Sequence, residues 1–187
     1  MKKRIDYNSP VILTFVIVAL GALILGMITR GFVTEKFFMV YRSSLFNPLT
    51  YLRLFTHVLG HADISHYMGN IMIILLVGPM LEEKYGSQDL LIMMLITAVA
   101  TGLIFLVFFP NGSLCGASGI AFMMIVLSSA TCMRDGKIPL TLILVVALYL
   151  GQQIVDGLMI RDNVSQLAHI VGGVLGGVFG FVYRKKQ

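Results

Sequence analysis

Ser118 stands in the run Gly116-Ala117-Ser118-Gly119, and the chain holds four imidazoles, His57, His61, His66 and His169. A serine hydroxyl is a weak nucleophile until a neighbouring base takes its proton, and histidine is the usual base. Attack on an amide also builds negative charge on oxygen, which fixed hydrogen-bond donors must receive. His66 and the Asn70 amide can both donate, and their four-residue separation puts them on one helical face. The backbone N–H of Ser118 is a further donor, and a helix N-terminus there adds partial positive charge. These residue types suit acyl transfer at a carbonyl.

Other chemistries fit less well. His57-x-x-x-His61 has helical spacing for a metal, but the His-Glu-x-x-His core of zinc proteases is absent. Neither a metal nor another cofactor is expected, and His57 and His61 read as structural donors. An aspartyl protease needs two carboxylates at matching depth, and Asp156 has no such partner. Cys115 and Cys132 bracket a helix that would hold them ~25 Å apart, beyond the ~7 Å limit for a disulfide. Both are expected to be free thiols. Glu82 and Glu83 with Lys84 read as a solvated helix end, and the 12 methionines as packing.

The elements that must position these groups follow from composition. Of 187 residues, 57% are hydrophobic and only 12% charged, with a mean hydropathy of +0.89. A soluble domain carries about 25% charged residues, so the numbers exclude one, and they exclude disorder too. The net charge of +5 comes largely from basic residues at the two chain ends, which does not make a nucleic-acid surface. The reading is an all-α, polytopic membrane protein whose medium is the lipid bilayer. Spans of ~20 apolar residues are expected at Val11–Thr29, from Ile64 to just before Glu82, and at Leu90–Phe109, Gly116–Met133, Ile138–Val155 and Val164–Tyr183. Turn residues separate them at Pro110-Asn111-Gly112, Arg134-Asp135-Gly136 and Arg161-Asp162-Asn163.

Six such spans take up ~120 residues, so residues 1–187 are expected to form a single membrane domain, with the core at 11–183, a tail at 184–187 and the chemistry housed among the helices. The first span follows Lys2, Lys3 and Arg4 like a signal peptide, but its apolar run is long and no small-residue cleavage site follows; it reads as an uncleaved helix. With the N-terminus inside, nine Lys and Arg fall on the inner face (Lys2, Lys3, Arg4, Lys84, Arg134, Lys137, Arg184, Lys185, Lys186) and five outside (Arg30, Lys36, Arg42, Arg53, Arg161). This favours both termini in the cytoplasm of a cell-membrane protein. The connection from Arg30 to Asp63 mixes Phe37, Phe38, Tyr41, Phe46, Tyr51 and Phe55 with Arg42 and Arg53. It is expected to lie in the outer headgroup region as an interfacial loop between the first two spans.

Taken singly, each polar feature has a plain structural reading. A membrane serine bonds its own preceding turn, a histidine or asparagine joins two helices, and a glycine row packs. Depth argues for more. The second, fourth and sixth spans all run from outside to inside, and His66 with Asn70, Ser118 and His169 each lie within about two turns of the outer end. Polar groups at membrane depth mark function by default. In the last span, Gly172, Gly176 and Gly180 recur every four residues, as in membrane helices that approach closely. Gly116, Ala117 and Gly119 offer a similarly thin surface around Ser118, so contact of the fourth and sixth spans would bring His169 to Ser118.

The run Arg53-Leu54-Phe55-Thr56-His57, His61, His66 and Asn70, then Glu82-x-x-x-Gly86, Gly116-Ala117-Ser118-Gly119 and Ala168-His169-x-x-Gly172-x-x-x-Gly176, resembles the rhomboid family of intramembrane serine proteases, from about Arg53 to Gly180. The resemblance implies a six-helix bundle in which Ser118 is the nucleophile and His169 the general base, a dyad without a carboxylate. His66, Asn70 and the Ser118 N–H would form the oxyanion hole, opening to the outer face. Substrates would be transmembrane proteins, cut through an acyl-enzyme. Two positions depart from the family: Leu52 precedes Arg53 where Trp is frequent, and Phe122 follows the nucleophile where Tyr is common. The alternatives are a catalytically inactive relative that binds membrane segments, and a small transporter, against which stand the lack of paired intramembrane charges and of an internal repeat.

Overall fold

In the computed structural model of the protein, residues 6–130 and 163–184 are described, together with positions 140, 143, 144, 147 and 148. Four described helices are long and apolar enough to cross a bilayer. They are α1 (Pro10–Ile28), α4 (Ile64–Tyr85), α5 (Ser87–Phe108) and, as the last helix, α7 (Asn163–Arg184). A shorter apolar helix, α6, runs over Ser118–Ala130. The five match the first four and the sixth expected spans to within about three residues, except that α4 runs four residues further, to Tyr85. The fifth, Ile138–Val155, lies outside the described residues except for positions 140, 143, 144, 147 and 148, which are helical. Cys132, Asp156 and the turns at 134–136 and 161–162 are also outside them.

Local sequence explains the helix starts. Pro10 opens α1, where its missing N–H costs nothing. Asn47 caps the short helix α3 (Pro48–Thr56), its Oδ1 accepting from Leu49 N at 3.0 Å. Asp63 caps α4, its Oδ1 accepting from His66 N at 2.8 Å. At the other end of α1, Gly31 N donates to Gly26 O at 2.8 Å and Arg30 N to Met27 O at 3.2 Å. This is a Schellman closure, with Arg30 at φ +52° in the position usually held by glycine.

One expectation is corrected here. Glu82 is not a solvated residue: it is 4% exposed and its carboxylate accepts from Val11 N at 3.0 Å, Ile12 N at 3.1 Å and Ser87 Oγ at 2.6 Å. The first amides of α1 have no partner within their own helix, and a carboxylate from the end of α4 supplies one. The contact fixes α1 antiparallel to α4 and lengthens α4 beyond the expected end. Higher up, Tyr67 Oη donates to Val16 O at 3.1 Å. Ile12, Ile74, Leu81, Leu90, Met93 and Leu127 fill the core between the helices.

The connection between α1 and α4 is ordered. It holds α2 (Phe32–Phe37), strand β1 (Val40–Tyr41), α3 and a 3-10 turn at His57–Leu59. Strand β2 (Ser113–Leu114) pairs antiparallel with β1, Val40 opposite Leu114 and Tyr41 opposite Ser113. This ribbon is the one departure from an all-α chain among the described residues, and it ties the loop before Ser118 to the first connection. Arg53, expected among the headgroups, is 3% exposed. Its Nε donates to Lys36 O at 2.9 Å, its Nη1 to Ser43 Oγ at 3.3 Å, and its guanidinium lies 4.2 Å from the Tyr41 ring centroid. A buried arginine is stable only with such partners. Leu45, Phe46, Tyr51, Leu52 and Phe55 are exposed on the same connection.

Candidate active site

The residues expected to meet do line one cavity, of about 320 Å³, bounded by His66, Asn70, Ser118, Phe122 and His169, with Ser65, Gly69, Leu114 and Cys115. Three helices supply them. The Asp63 cap sets His66 in the first turn of α4, and Asn70 follows one turn later, 7% exposed. Ser118 opens α6, and Ala121 N donates to Ala117 O at 2.9 Å as the first bond of that helix. The Ser118 N–H therefore belongs to the first turn, where amides lack an intrahelical carbonyl and the helix dipole is positive.

His169 is brought over by the glycine row, as expected. A Cβ at Gly172 would overlap the Gly119 carbonyl oxygen, one at Gly176 the Met123 carbonyl oxygen, and one at Gly180 would lie 2.5 Å from Ala130 Cβ. The backbones of α6 and α7 thus touch directly, which side chains at these positions would prevent. The His169 ring packs on the Phe122 ring at 4.3 Å between centroids, tilted by 42°. An aromatic pair of this kind contributes about 0.5–1.5 kcal/mol beyond burial and holds the imidazole without needing a phenol.

Gly116 does something the sequence did not reveal. It was expected to thin the helix surface, but it lies outside α6 with φ +128°. A Cβ there would lie 2.7 Å from His66 Nε2 and 3.6 Å from Asn70 Nδ2. The glycine lets the backbone before Ser118 run against both side chains. Gly119 is the residue that packs, with Thr101 Cγ2 and the Ala168 carbonyl at 3.0 and 3.2 Å from a Cβ built on it. Asn70 Nδ2 is buried and has no hydrogen-bond partner among the described residues. An unmet buried donor costs about 1–3 kcal/mol, and such groups call for an explanation.

His57 and His61 do not line this cavity. His57 is 1% exposed, its Nδ1 3.1 Å from Arg53 O and its Nε2 3.4 Å from Thr101 Oγ1. Burial pushes its pKa down to about 4, so the ring is neutral, and the Arg53 carbonyl, which can only accept, puts the proton on Nδ1. The His57 carbonyl accepts from Gly116 N at 2.9 Å, which anchors the loop that carries Ser118. His61, 2% exposed, has its Nδ1 3.2 Å from Leu59 O and stands edge-on to His66 at 5.1 Å between ring centroids. Burial also lowers its pKa to about 4. Both behave as the structural donors expected. Cys115 is a free thiol whose pKa burial raises, keeping it protonated. Thr101 carried no sequence signal beyond its type, and Glu82 stood out only within the Glu82-x-x-x-Gly86 run; packing alone reveals their partners.

Comparison with known proteins gives this geometry a context. The Rhomboid domain family model matches residues 48–186. Rhomboid-related protein 1 of Caenorhabditis elegans is 31% identical over 139 residues, covering 70% of this chain and 39% of that protein. RHOMBOID-like protein 1 of Arabidopsis thaliana is 27% identical over 138 residues, 70% of this chain and 34% of that protein. The chain thus spans about two fifths or less of the length of these relatives. The family match covers most of the chain, including all the cavity-lining residues. Together with the long apolar helices, this identifies the chain as a multi-pass membrane protein that belongs to the rhomboid family.

Proposed function

We propose that the protein is an intramembrane serine endopeptidase that cuts transmembrane protein substrates through an acyl-enzyme. The observation that carries this reading is the convergence of Ser118, His169, His66 and Asn70, from three helices, on one cavity. Ser118 Oγ attacks the scissile carbonyl carbon while the His169 imidazole takes its proton. The oxyanion is received by the Ser118 N–H, His66 and the Asn70 amide, whose Nδ2–H is unmet in the resting protein. His169 then returns its proton to the leaving amine as the C–N bond breaks. Water, activated by the same imidazole, hydrolyses the ester and frees Ser118. No cofactor or metal enters the scheme.

The same reading carries a topology. Residues 1–187 form one membrane domain with six spans, both termini cytoplasmic and the cavity opening to the outer face. The α1–α4 connection rests in the outer headgroup region, where its exposed Leu45, Phe46, Tyr51 and Phe55 suit the interface. The second reading is a rhomboid-like protein that binds membrane segments without cutting them; Phe122, which brings no hydroxyl to His169, favours it. Cleavage of a model single-span substrate in proteoliposomes separates the two. Wild type is expected to cut it, and Ser118→Ala and His169→Ala to lose activity by at least ~10³-fold while remaining folded. Intact substrate with folded wild type refutes the protease reading.

A further inference from the structure

A second, larger cavity of about 800 Å³ lies away from Ser118, between the end of α1, α2 and the ribbon. Its lining includes Leu23 and Met27 of α1, Arg30, Glu35 of α2, Met39 and His61. A volume of this order suits a small amphipathic molecule. We propose that it binds the headgroup of a phospholipid bearing both a phosphate and a primary ammonium, of the ethanolamine type. This inference does not depend on the hydrolytic reading.

Three observations support it. The cavity begins at the last turn of a 19-residue apolar helix, which at ~1.5 Å per residue nearly crosses the hydrocarbon core, so its mouth lies at headgroup level. One cation and one anion, Arg30 and Glu35, line it, and both are exposed with no ion pair engaging either among the described residues. A guanidinium binds phosphate oxygens in a bidentate fork, and a carboxylate accepts from an ammonium, which a trimethylated amine cannot match. His61, also at the cavity wall, is held by its Nδ1–H on the Leu59 carbonyl, and its Nε2 is buried away from a ligand. Below the mouth, Leu20, Ile24, Met27 and Ile28 are exposed at helical spacing, an apolar track for an acyl chain.

The backbone at Arg30 supports the same conclusion. A non-glycine residue at φ +52° is strained, by about 1 kcal/mol, where glycine would close the helix without cost.

The test uses the full chain in detergent micelles, with dioctanoyl phosphatidylethanolamine, phosphatidylglycerol and phosphatidylcholine compared by native mass spectrometry. Phosphatidylethanolamine is expected to be retained ~10-fold more tightly than the other two. Glu35→Gln should bring it down to their level, and Arg30→Gly should weaken all three about tenfold while raising Tm, because glycine relieves the turn. That opposite movement of binding and stability separates a binding role from a structural one. Equal retention of the three lipids, or a preference that survives both variants, overturns the proposal. So does competition by inorganic phosphate as effective as by the lipid, or displacement by a juxtamembrane peptide that binds without regard to Arg30 and Glu35.

Discussion

Replacing Glu82 with alanine removes one carboxylate and leaves three donors unmet: the amides of Val11 and Ile12 and the Ser87 hydroxyl. Hydrogen bonds to a charged group are worth about 1.5–3 kcal/mol each, and a buried amide left unpaired costs about 1–3 kcal/mol. Ser87 can turn to water or a carbonyl, so most of the loss falls on the two α1 amides. The favourable charge at the α1 N-terminus adds about 0.5–1 kcal/mol. Allowing for non-additivity, Glu82→Ala is expected to destabilise the fold by about 3–5 kcal/mol. Glu82→Gln retains one acceptor oxygen and turns an NH2 towards a donor, so it should lie between. Unfolding in mixed detergent–SDS micelles measures this directly. Because Glu82 lies about three turns along α4 from Asn70 and over four from His66, any protease activity per folded molecule should be unchanged. A loss under about 1 kcal/mol for Glu82→Ala, or a folded variant that has lost the activity, would refute the reasoning.

Four further outcomes follow from the structure. Gly172→Ala drives a methyl into the Gly119 carbonyl and should cost about 1–3 kcal/mol. Gly177→Ala, with open space around it, should be neutral or stabilising by up to about 1 kcal/mol in the same unfolding assay. Gly116→Ala strains a backbone at φ +128° and pushes on His66; a shift of ~1 Å there should lower kcat about 100-fold with KM little changed, read in the substrate cleavage assay. His57 titrates near 6.5 unfolded and about 4 folded, so folding favours its neutral form. Its contribution is complete above pH 6.5 and declines as pH falls towards 4, by about 3 kcal/mol in all; His61 acts in the same direction. Unfolding free energies between pH 7 and 4 check the slope, which His57→Gln should flatten.

The residues of the cavity were legible in the sequence because polar groups stand out in apolar helices. His66 and Asn70 share a face by arithmetic, and Gly172, Gly176 and Gly180 announce a close contact by spacing. What was hidden depends on where distant chain lies. A carboxylate at a helix end looks the same whether it meets water or another helix's amides, so Glu82 read as solvated. Arg53 in an aromatic loop looks interfacial until the Lys36 carbonyl and the Tyr41 ring enclose it. Two-residue strands are too short to show a period, so the β1–β2 ribbon left no trace. The conformation of Gly116 follows from that ribbon and from the His57 carbonyl, both set by chain more than 50 residues earlier.

The central claim is that Ser118 is a nucleophile activated by His169. Its most direct test is reaction of the folded protein in detergent with a fluorophosphonate, and mapping of the adduct by peptide mass spectrometry. The account requires a single phosphonyl group on Ser118, absent in Ser118→Ala and formed at least ~100-fold more slowly in His169→Ala. A folded wild-type protein that stays unmodified at Ser118, or that reacts equally fast without His169, would contradict it.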